Sequence, residues 1–260
     1  MNKIKIIEDV VKDISNNELM PRFNKVQAQN KKDGSLVTQA DWSVQEAVKI
    51  ELAKLFPEFG FFAEEMTDSE MKSFFAENHF GYWCLDPLDG TSNFASGIPY
   101  FAISLALIKD NQTVFGLVYD PVRDECFTAI KGEGVWLNGQ PIINSQLPQT
   151  LAQCIAIVDL KRLPTELAVK LATNPPYRSQ RSFGAAALEW CWLATGRCQL
   201  FLHGKQMLWD YAAGLLIAQE AGCVACDLDG DPIFQQSLKS KKVVAAISKG
   251  LHKQWHNFIT

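Results

Sequence analysis

Three consecutive runs of strand-forming residues constrain the fold of this chain more than any other feature. The runs cover residues 100–108, 113–119 and 125–130, and the turn sequences KDNQ and DPVRD separate them. Runs divided by such short turns are typical of an antiparallel meander. The next segment, GEGVWLNGQPI, is expected to be a glycine-punctuated loop with a tight turn at Asn138 and Gly139. We therefore predict an antiparallel sheet in this part of the chain.

Helix and strand patterns precede this meander. Apolar residues at helical spacing predict helices over residues 2–16 and 41–56, and Pro57 closes the second helix. A third, amphipathic helix is expected in TDSEMKSFFAEN, where Thr67 and Glu70 resemble a capping box. The stretches FGFFAEE and GYWCLDP are typical of short buried strands, and acidic residues stand at the end of each.

From about residue 151 the patterns alternate between strand and helix. Strands are expected in CIAIVDL, CQLFL, CVACDL and VVAAIS, and helices over 165–173, in GAAALEWCWLATG, over 208–221 and at the C-terminus. Such alternation predicts an α/β arrangement. We place a boundary near Pro148, which divides the chain into an N-terminal α+β half, 1–148, and a C-terminal α/β half, 149–260.

The composition narrows the classes of function. The chain has 260 residues, 47% hydrophobic and 21% charged, with a net charge of -4. A chain without a basic excess is not expected to bind nucleic acid. Its longest clean apolar run, residues 101–108, is far shorter than the about 20 residues of a membrane-spanning helix. Because the N-terminus also lacks the apolar run of a signal peptide, we expect a cytoplasmic protein without a membrane partner.

The cysteines are expected to be structural thiols. There are seven, an odd number, and most lie inside apolar runs, as buried reduced thiols do. Cys223 and Cys226 form one CxxC pair, but neither a second pair nor a neighbouring histidine motif accompanies it, so the pattern favours neither zinc nor redox chemistry.

Five acidic residues stand where predicted elements begin or end. They are Glu64, Glu65, Asp86, Asp89 and Asp210. Several chain segments can converge on one pocket at such positions. Carboxylates that converge there repel one another and lose hydration unless a cation lies between them. Hard oxygen ligands of this kind suit Mg²⁺ or Mn²⁺.

The stretch LDPLDGTSNF adds geometry to two of these acids. Pro87 bends the path so that Asp86 and Asp89 can point inward with the Leu88 carbonyl between them. Gly90 permits close backbone approach, and free N–H groups of a helix beginning at Thr91 would face an anion. Acids for cations beside N–H donors for phosphate are what metal-assisted hydrolysis of a phosphate ester needs.

Each motif also has a simpler interpretation. DPLDG is good turn chemistry in its own right. Glu64 and Glu65 could form a solvated acidic edge, and Asp210 could cap the helix that runs to Ala221. Likewise, Thr38 and Asp41 resemble a capping box before the helix over 41–56.

Taken together, four motifs resemble those of the inositol monophosphatase family. They are AEE after an aromatic strand, LDPLDGTSNF, GLVYDPVRDECFTA with GEGVWLNG, and WDYAAG. The resemblance runs from about Lys32 to about Gly230. It implies a layered α-β-α-β-α sandwich, of mixed α+β and α/β character, that forms a homodimer. It also implies a Li⁺-sensitive phosphomonoesterase that uses two or three Mg²⁺ ions per active site.

The resemblance carries over to individual residues. Glu64, Asp86, the Leu88 carbonyl, Asp89 and Asp210 match the metal ligands, and Glu65 supports the site. Gly90 and Thr91 match the phosphate cradle. Asp41 ends the segment LVTQAD, and the corresponding aspartate hydrogen-bonds the motif threonine. Glu64, Thr91 and Asp41 are therefore the implied catalytic residues, and Asp89, Ala186, His203 and Asp210 the implied substrate contacts.

Two positions depart from the family pattern. Ser35 stands where an aspartate often helps to hold an outer metal, and the nearby Lys32 need not keep the usual register. His203 stands seven residues before Asp210, where inositol-selective members carry a glutamate that binds substrate hydroxyls. A neutral histidine can still bind a hydroxyl, a protonated one would prefer a second anionic group, and a surface residue in a strand-to-loop turn is the simpler interpretation.

The substrate therefore has several candidates. Inositol 1-phosphate, hydrolysed to inositol and phosphate, comes first because the core motifs are closest to that branch. Fructose 1,6-bisphosphate and nucleotide phosphates of the NADP or PAP type are alternatives, and a non-catalytic, metal-holding interaction protein is a further hypothesis. Arg178 or Arg181 could reach a second phosphate or the dimer partner, although surface arginines are commoner. The segment DLDGDP lacks the glycine and glutamate spacing of a calcium loop.

Overall fold

The structure is a computed structural model, which describes residues 2–25, 29–31, 36–77, 80–145 and 147–260. The expectations about Lys32 and Ser35 lie outside the described residues. The α-helices within these ranges are α1 Asn2–Ile14, α2 Gln39–Leu55, α3 Asp68–Ala76, α4 Thr91–Ala95, α5 Thr165–Thr173, α6 Ala186–Ala194, α7 Leu208–Glu220 and α8 Lys249–Ile259. A π-helical turn, Ser15–Leu19, continues α1, and short 3₁₀ turns cover Met20–Arg22, Leu151–Gln153 and Leu160–Arg162.

The strands form one large sheet, one smaller sheet and a two-stranded ribbon. They are β1 Gln29–Asn30, β2 Leu36–Val37, β3 Gly60–Ala63, β4 Tyr82–Asp89, β5 Ala102–Lys109, β6 Gln112–Asp120, β7 Glu125–Ile130, β8 Gly134–Leu137, β9 Gln140–Pro141, β10 Ile155–Val158, β11 Ser179–Arg181, β12 Leu200–Gln206, β13 Val224–Cys226 and β14 Lys241–Ala246.

The large sheet contains the predicted meander. Its seven strands lie in the order β3-β4-β5-β6-β7-β8-β9, with β3 parallel to β4 and every other pair antiparallel. The prediction of a loop over 132–142 was wrong, because β8 and β9 extend the sheet as a hairpin. The tight turn within it is confirmed: Asn138 and Gly139 have φ values of 50° and 75°, as a two-residue hairpin turn requires.

Both faces of the large sheet are buried. Along β4, Trp83 and Leu85 pack into a core shared with α1 and α2, whereas Tyr82 and Cys84 pack into the core on the other face. Successive strand residues point to opposite faces, so a strand covered on both sides needs an unbroken apolar run. This double burial explains the sequence YWCL.

The smaller sheet has five strands in the order β11-β10-β12-β14-β13. Strand β10 runs parallel to β11 and β12, and β14 runs antiparallel to β12 and β13. The alternation of strands and helices therefore corresponds to a mixed sheet. Strand β11 was not predicted, because its three residues are polar and lie at the edge of the sheet.

The helices form layers around the two sheets. Helices α1 and α2 cover one face of the large sheet, α6 and α7 lie between the large and small sheets, and α8 packs on the outer face of the small sheet. The indole Nε1 of Trp255 in α8 donates a hydrogen bond to the Phe201 carbonyl of β12, 3.2 Å away. The predicted α-β-α-β-α sandwich is confirmed. The division near Pro148 stays a prediction, since α6 and α7 pack against both sheets.

Several local predictions also agree with the structure. Thr67 and Glu70 form the predicted capping box at the start of α3, and Thr38 and Asp41 form one at the start of α2. All seven cysteines are buried and free of disulfide bonds. Across the described ranges, no helix is long and apolar enough to cross a bilayer.

Candidate active site

One cavity of about 420 Å³ gathers most of the predicted site residues. It opens beside the carboxyl end of β4, the start of α4 and the first turns of α6 and α7. Residues that the sequence had singled out contribute to its lining: Glu64, Asp86, Leu88, Asp89, Gly90, Thr91, Ala186, His203 and Asp210.

A break in the strand pairing at the end of β4 places the two motif aspartates. Asp86 pairs with Ser104 and Asp89 with Ala102, so β4 carries one more residue than β5 over this interval. Such a bulge bends the strand and re-aims its side chains. The Leu88 N–H donates to Asp86 Oδ1 at 3.0 Å, which closes the bend. The turn chemistry of DPLDG therefore builds this part of the site.

Gly90 connects the bulged strand to α4. Its φ of +91° lies in the left-handed region, and an added Cβ would lie 3.0 Å from the Tyr100 carbonyl oxygen. Both facts favour glycine at this position. Helix α4 starts at the next residue, Thr91, as predicted, and this end of the helix lines the cavity. The first backbone N–H groups of a helix have no acceptor within it.

Asp41 serves both of the functions that the sequence offered as alternatives. Its Oδ2 accepts hydrogen bonds of 2.7 Å from the Thr38 N–H and from the Thr38 hydroxyl, as in a capping box. Its Oδ1 lies 3.2 Å from the Thr91 hydroxyl, which is also 3.0 Å from the Leu88 carbonyl. Burial raises the pKa of Asp41 to about 6, although the Thr38 hydrogen bonds oppose that shift. Asp41 thus joins α2 to the motif threonine.

Each of the three proposed metal-ligating aspartates of the cavity accepts a hydrogen bond from a backbone amide through one carboxylate oxygen. Asp89 Oδ2 accepts from the Ala187 N–H at 2.6 Å, and Asp210 Oδ2 accepts from the Met207 N–H at 2.7 Å. Asp86 accepts from Leu88, as described above. Asp210 therefore lies in the first turn of α7 and caps its start while it also lines the cavity. The helix-cap interpretation of Asp210 is therefore compatible with its predicted place in the metal site.

The two glutamates that follow β3 share one lysine. Lys31 Nζ lies 2.9 Å from Glu64 Oε1 and 2.5 Å from Glu65 Oε1. The Glu65 side chain is only 6% exposed, which excludes a solvated acidic edge for it. Burial and the neighbouring Glu64 raise the pKa of Glu65 to about 7 against the effect of Lys31. Glu65 does not line the cavity; it belongs to an adjoining pocket, whereas Glu64 lines both.

The cavity concentrates negative charge away from water. Burial, followed by repulsion from Glu64, raises the pKa values of Asp86 and Asp210 well above their usual range. Burial also raises the pKa of Asp89 to about 7. No three His, Cys, Asp or Glu side chains in the described ranges converge tightly enough to enclose one ion as they stand. Their oxygens nevertheless suit Mg²⁺, because each aspartate keeps a second carboxylate oxygen beyond its backbone hydrogen bond.

Comparisons with known proteins agree with this arrangement. The model of the inositol monophosphatase family matches residues 3–259. This chain belongs to the inositol monophosphatase family. A protein named Nus factor SuhB from Haemophilus influenzae is 32% identical over 232 residues, which cover 88% of this chain and 84% of that protein. A protein named Inositol-1-monophosphatase from Mesorhizobium japonicum is 33% identical over 234 residues, or 85% and 81% of the two chains.

A solved structure of the same family is similar over nearly its whole length. An IMPase/NADP phosphatase complexed with Mg²⁺ and phosphate has 25% sequence identity and a TM-score of 0.85. The alignment covers 98% of this chain and 94% of that one.

His203 differs from the simplest expectation. It lies within β12, is only 7% exposed and lines the cavity, so the interpretation as a surface turn residue was wrong. Its Nε2 is 3.3 Å from Asp159 Oδ2. Burial lowers the pKa of His203 to about 4 although Asp159 opposes the shift. In this family member the imidazole is therefore neutral near pH 7.

The cavity includes charged residues that sequence reasoning missed. They are Asp159, Lys161, Arg162, Glu189 and Lys205. Arg178 and Arg181, which the sequence offered as contacts for a second phosphate, do not line the cavity. Arg181 Nη1 donates to the Ser179 hydroxyl and to the Gln180 carbonyl at the exposed edge of the small sheet. One signal was available: Asp159 follows the strand of CIAIVD, as Asp86 follows that of YWCL.

Proposed function

We propose that this chain is a Mg²⁺-dependent phosphatase that releases phosphate from a small-molecule phosphate monoester, with inositol 1-phosphate as the first candidate. The observation that carries the proposal is the convergence of Glu64, Asp86, Asp89 and Asp210 with the start of α4 on one cavity. The name of the Mesorhizobium japonicum relative supports inositol 1-phosphate. The Mg²⁺ and phosphate of the similar solved structure support the cofactor and the reaction class.

The proposed metal ligands are Glu64, Asp86, the Leu88 carbonyl, Asp89 and Asp210. We propose two or three Mg²⁺ ions per site, with Mn²⁺ as a possible replacement. When bound there, Mg²⁺ would neutralise phosphate charge and lower the pKa of a water molecule. The chain itself contributes fixed oxygens, because backbone amides orient the carboxylates of Asp86, Asp89 and Asp210.

The start of α4 holds the phosphate in this proposal. The N–H groups of Gly90 and Thr91 donate to phosphate oxygens at the positive end of the short helix. Glu64 and Thr91 orient the attacking water for in-line displacement. The carboxylate of Asp41 fixes the Thr91 hydroxyl, which lies 3.2 Å from it. Attack by water leaves no covalent phosphoenzyme.

The alcohol half of the substrate lies toward Asp89, Ala186, His203 and Asp210 in this proposal. All four line the cavity. With its pKa lowered to about 4, His203 is neutral at pH 7. Its Nδ1 accepts from the Lys205 N–H and its Nε2 faces Asp159 Oδ2, each at 3.3 Å, so a substrate hydroxyl would have to replace one of these contacts. Where inositol-selective members carry a charged glutamate, this chain offers a weaker and less charge-selective contact.

A substrate screen at fixed Mg²⁺, repeated with Li⁺, tests the proposal. We expect phosphate release from inositol 1-phosphate, its loss without divalent metal and its inhibition by Li⁺. The panel also contains fructose 1,6-bisphosphate and the nucleotide phosphates NADP and PAP. If purified protein with Mg²⁺ released phosphate from none of them, the proposal would be wrong.

A second candidate function is a non-catalytic, metal-holding interaction protein. The relative named Nus factor SuhB, 32% identical, motivates it. A stoichiometric macromolecular partner in a pull-down, together with no turnover in the screen, would favour this function. We also propose a homodimer in the cytoplasm; sedimentation of the purified protein and fractionation of cells test these two points.

A further inference from the structure

A second group of charged side chains lines the cavity beyond the carboxylates. Two members, Lys161 and Arg162, lie in the 3₁₀ turn that follows β10, and Lys205 lies near the end of β12. None of them belongs to the motifs on which the metal and phosphate roles rest.

The turn after β10 is held firmly against β12. The Asp159 N–H donates to the Leu202 carbonyl at 3.1 Å, and Asp159 Oδ1 accepts from the Lys161 N–H at 3.2 Å. A Cβ added to Gly204 would lie 2.0 Å from the Arg162 carbonyl oxygen. Glycine at that position therefore permits a backbone approach that any side chain would block. The same strand carries a bulge between His203 and Gln206. The cationic side chains thus project from a fixed backbone.

The charges in this region do not cancel. Asp159 Oδ2 is shared, since it pairs with Arg162 Nη1 and lies 3.3 Å from His203 Nε2. The ammonium groups of Lys161 and Lys205 have no acidic side chain within 4.0 Å among the described residues. The Arg162 side chain is 48% exposed and keeps further N–H donors beyond Nη1. Of these three cations, only Arg162 therefore has an acidic partner within 4.0 Å in the described part of the chain.

The remaining acid of this wall, Glu189, forms no ion pair within 4.0 Å with these cations, although Arg162 opposes the rise that burial causes in the pKa of Glu189. Glu189 Oε1 accepts from the Phe183 and Gly184 N–H groups at 2.9 and 3.1 Å. It is 3% exposed and pairs with none of the three cations. A cavity that is lined both by carboxylates for metal and by two lysines without an acidic partner among the described residues is suited to a ligand with two anionic groups.

We propose that Lys161, Arg162 and Lys205 form a second anion site, and that the preferred substrate is a phosphate monoester whose alcohol carries another anionic group, a phosphate or a carboxylate. The inference rests on the proposed phosphatase function and extends it. Inositol 1-phosphate, whose alcohol is neutral, would leave Lys161 and Lys205 without an anionic partner. A doubly anionic substrate would engage them with charge-assisted hydrogen bonds, and should therefore rank above inositol 1-phosphate.

Matched substrate pairs test the inference. The first pair is inositol 1-phosphate and inositol 1,4-bisphosphate, and the second is glycerol 3-phosphate and 3-phosphoglycerate. The kcat/KM of each is measured at fixed Mg²⁺ and fixed ionic strength. We expect the member with the additional anion to be favoured by roughly tenfold, the effect of about one charge-assisted hydrogen bond. The pair with the larger ratio identifies phosphate or carboxylate as the second group.

A double variant tests whether these lysines cause the preference for the substrate with the additional anion. In the double variant Lys161→Gln, Lys205→Gln, the ratio within each pair should fall toward one, mainly through KM. The matched control is Lys253→Gln, an exposed lysine of α8 outside the cavity lining, which should keep the wild-type ratio. Circular dichroism and the melting temperature verify that both variants are folded.

The outcomes separate the two proposals. If inositol 1-phosphate is hydrolysed but neither ratio exceeds about twofold, or if the double variant keeps the preference, the second anion site is wrong and the phosphatase function stands. If no substrate is turned over, the phosphatase function is wrong. Without turnover, the second anion site is tested by calorimetric titration of the same four ligands with Ca²⁺ in place of Mg²⁺. Equal affinity within each pair, or no weakening of binding in the double variant, would show that the second anion site is wrong.

Discussion

At the scale of single residues, Asp89 combines a structural and a proposed catalytic function. Its Oδ2 accepts from the Ala187 N–H at 2.6 Å, which an asparagine carbonyl can also do. Asp89→Asn should therefore keep the fold but remove one negative charge from the metal site. We expect kcat/KM to fall by at least about 100-fold in a phosphate-release assay. The melting temperature of the metal-free protein should not fall, because the substitution removes a buried carboxylate whose charge is disfavoured.

The matched control for Asp89→Asn is Asp227→Asn. Asp227 Oδ1 also accepts from backbone amides, those of Asp229 and Asp231, but it lies outside the cavity lining. The control should keep wild-type activity. Retained activity in Asp89→Asn itself would remove Asp89 from the proposed ligand set.

The buried histidine predicts a pH dependence of stability. The pKa of His203 is about 4 in the folded chain, below the usual 6.5, because burial disfavours the charged form. Between about pH 6.5 and pH 4 the unfolded chain binds a proton that the folded chain does not, so stability falls as the pH falls through this window. His203→Gln should flatten that dependence by on the order of 3 kcal/mol between pH 7 and pH 4. Urea unfolding of both proteins at each pH measures it, and parallel curves would contradict the prediction.

The site's residues were predictable to different degrees. Asp86, Asp89, Gly90 and Thr91 lie within one short segment, so the sequence alone carries their relation. Asp159 and Lys205 are brought together by the parallel pairing of β10 with β12, in which Ile157 pairs with Phe201. Helix α5, strand β11 and helix α6 lie between β10 and β12 in the sequence, and nothing local specifies that sheet order. Motif spacing therefore could not reveal the second group of charged residues.

At the scale of elements, α6 and α7 pack against each other too closely for a side chain at Gly214. A Cβ added to Gly214 of α7 would lie 2.5 Å from the Trp190 Cβ of α6. Because both atoms belong to buried helices between two sheets, the clash can be relieved only by separating the layers. Gly214→Ala should therefore destabilise the protein by about 1–3 kcal/mol. Urea unfolding gives the change in free energy.

Gly250→Ala provides the matched control for this prediction. Gly250 lies in α8, and no atom would come within 4 Å of its added Cβ. Alanine is the better helix former by ~1 kcal/mol, so this substitution should leave stability unchanged or raise it. Equal effects of the two substitutions would show that crowding between α6 and α7 is not the cause.

The elements themselves followed from the sequence wherever a periodic pattern or a cap specified them. Helix α5 begins and ends at the predicted residues 165 and 173, and the caps of α2 and α3 are those expected. The hairpin of β8 and β9 was missed because three glycines in that segment favour a loop. Its strand character comes from pairing with β7, where Phe127 lies opposite Leu137. Pairing with a neighbouring strand is a contact outside the segment, which the segment's own pattern does not encode.

At the scale of the whole molecule, the layers bring acids from distant segments into one place that disfavours their charge. Asp86 and Asp89 come from the large sheet, and Asp210 comes from the helix layer between the sheets. Burial and repulsion between carboxylates raise the pKa values of all three aspartates. In the absence of a cation, the folded chain therefore disfavours their ionised form. The folded chain should therefore bind Mg²⁺ far better than the unfolded chain does.

This difference predicts that Mg²⁺ stabilises the folded protein independently of any activity. A ligand that binds only the folded state at 100 times its dissociation constant adds about 2.7 kcal/mol, which raises Tm by several degrees for a chain of this size. Calorimetry of metal-free protein titrated with MgCl₂, against NaCl of equal ionic strength, measures the shift. Asp210→Asn, which removes one of the repelling charges, should melt higher than the wild type without metal and respond less to Mg²⁺. A wild-type Tm that is the same in both salts would mean that these carboxylates do not form a metal site.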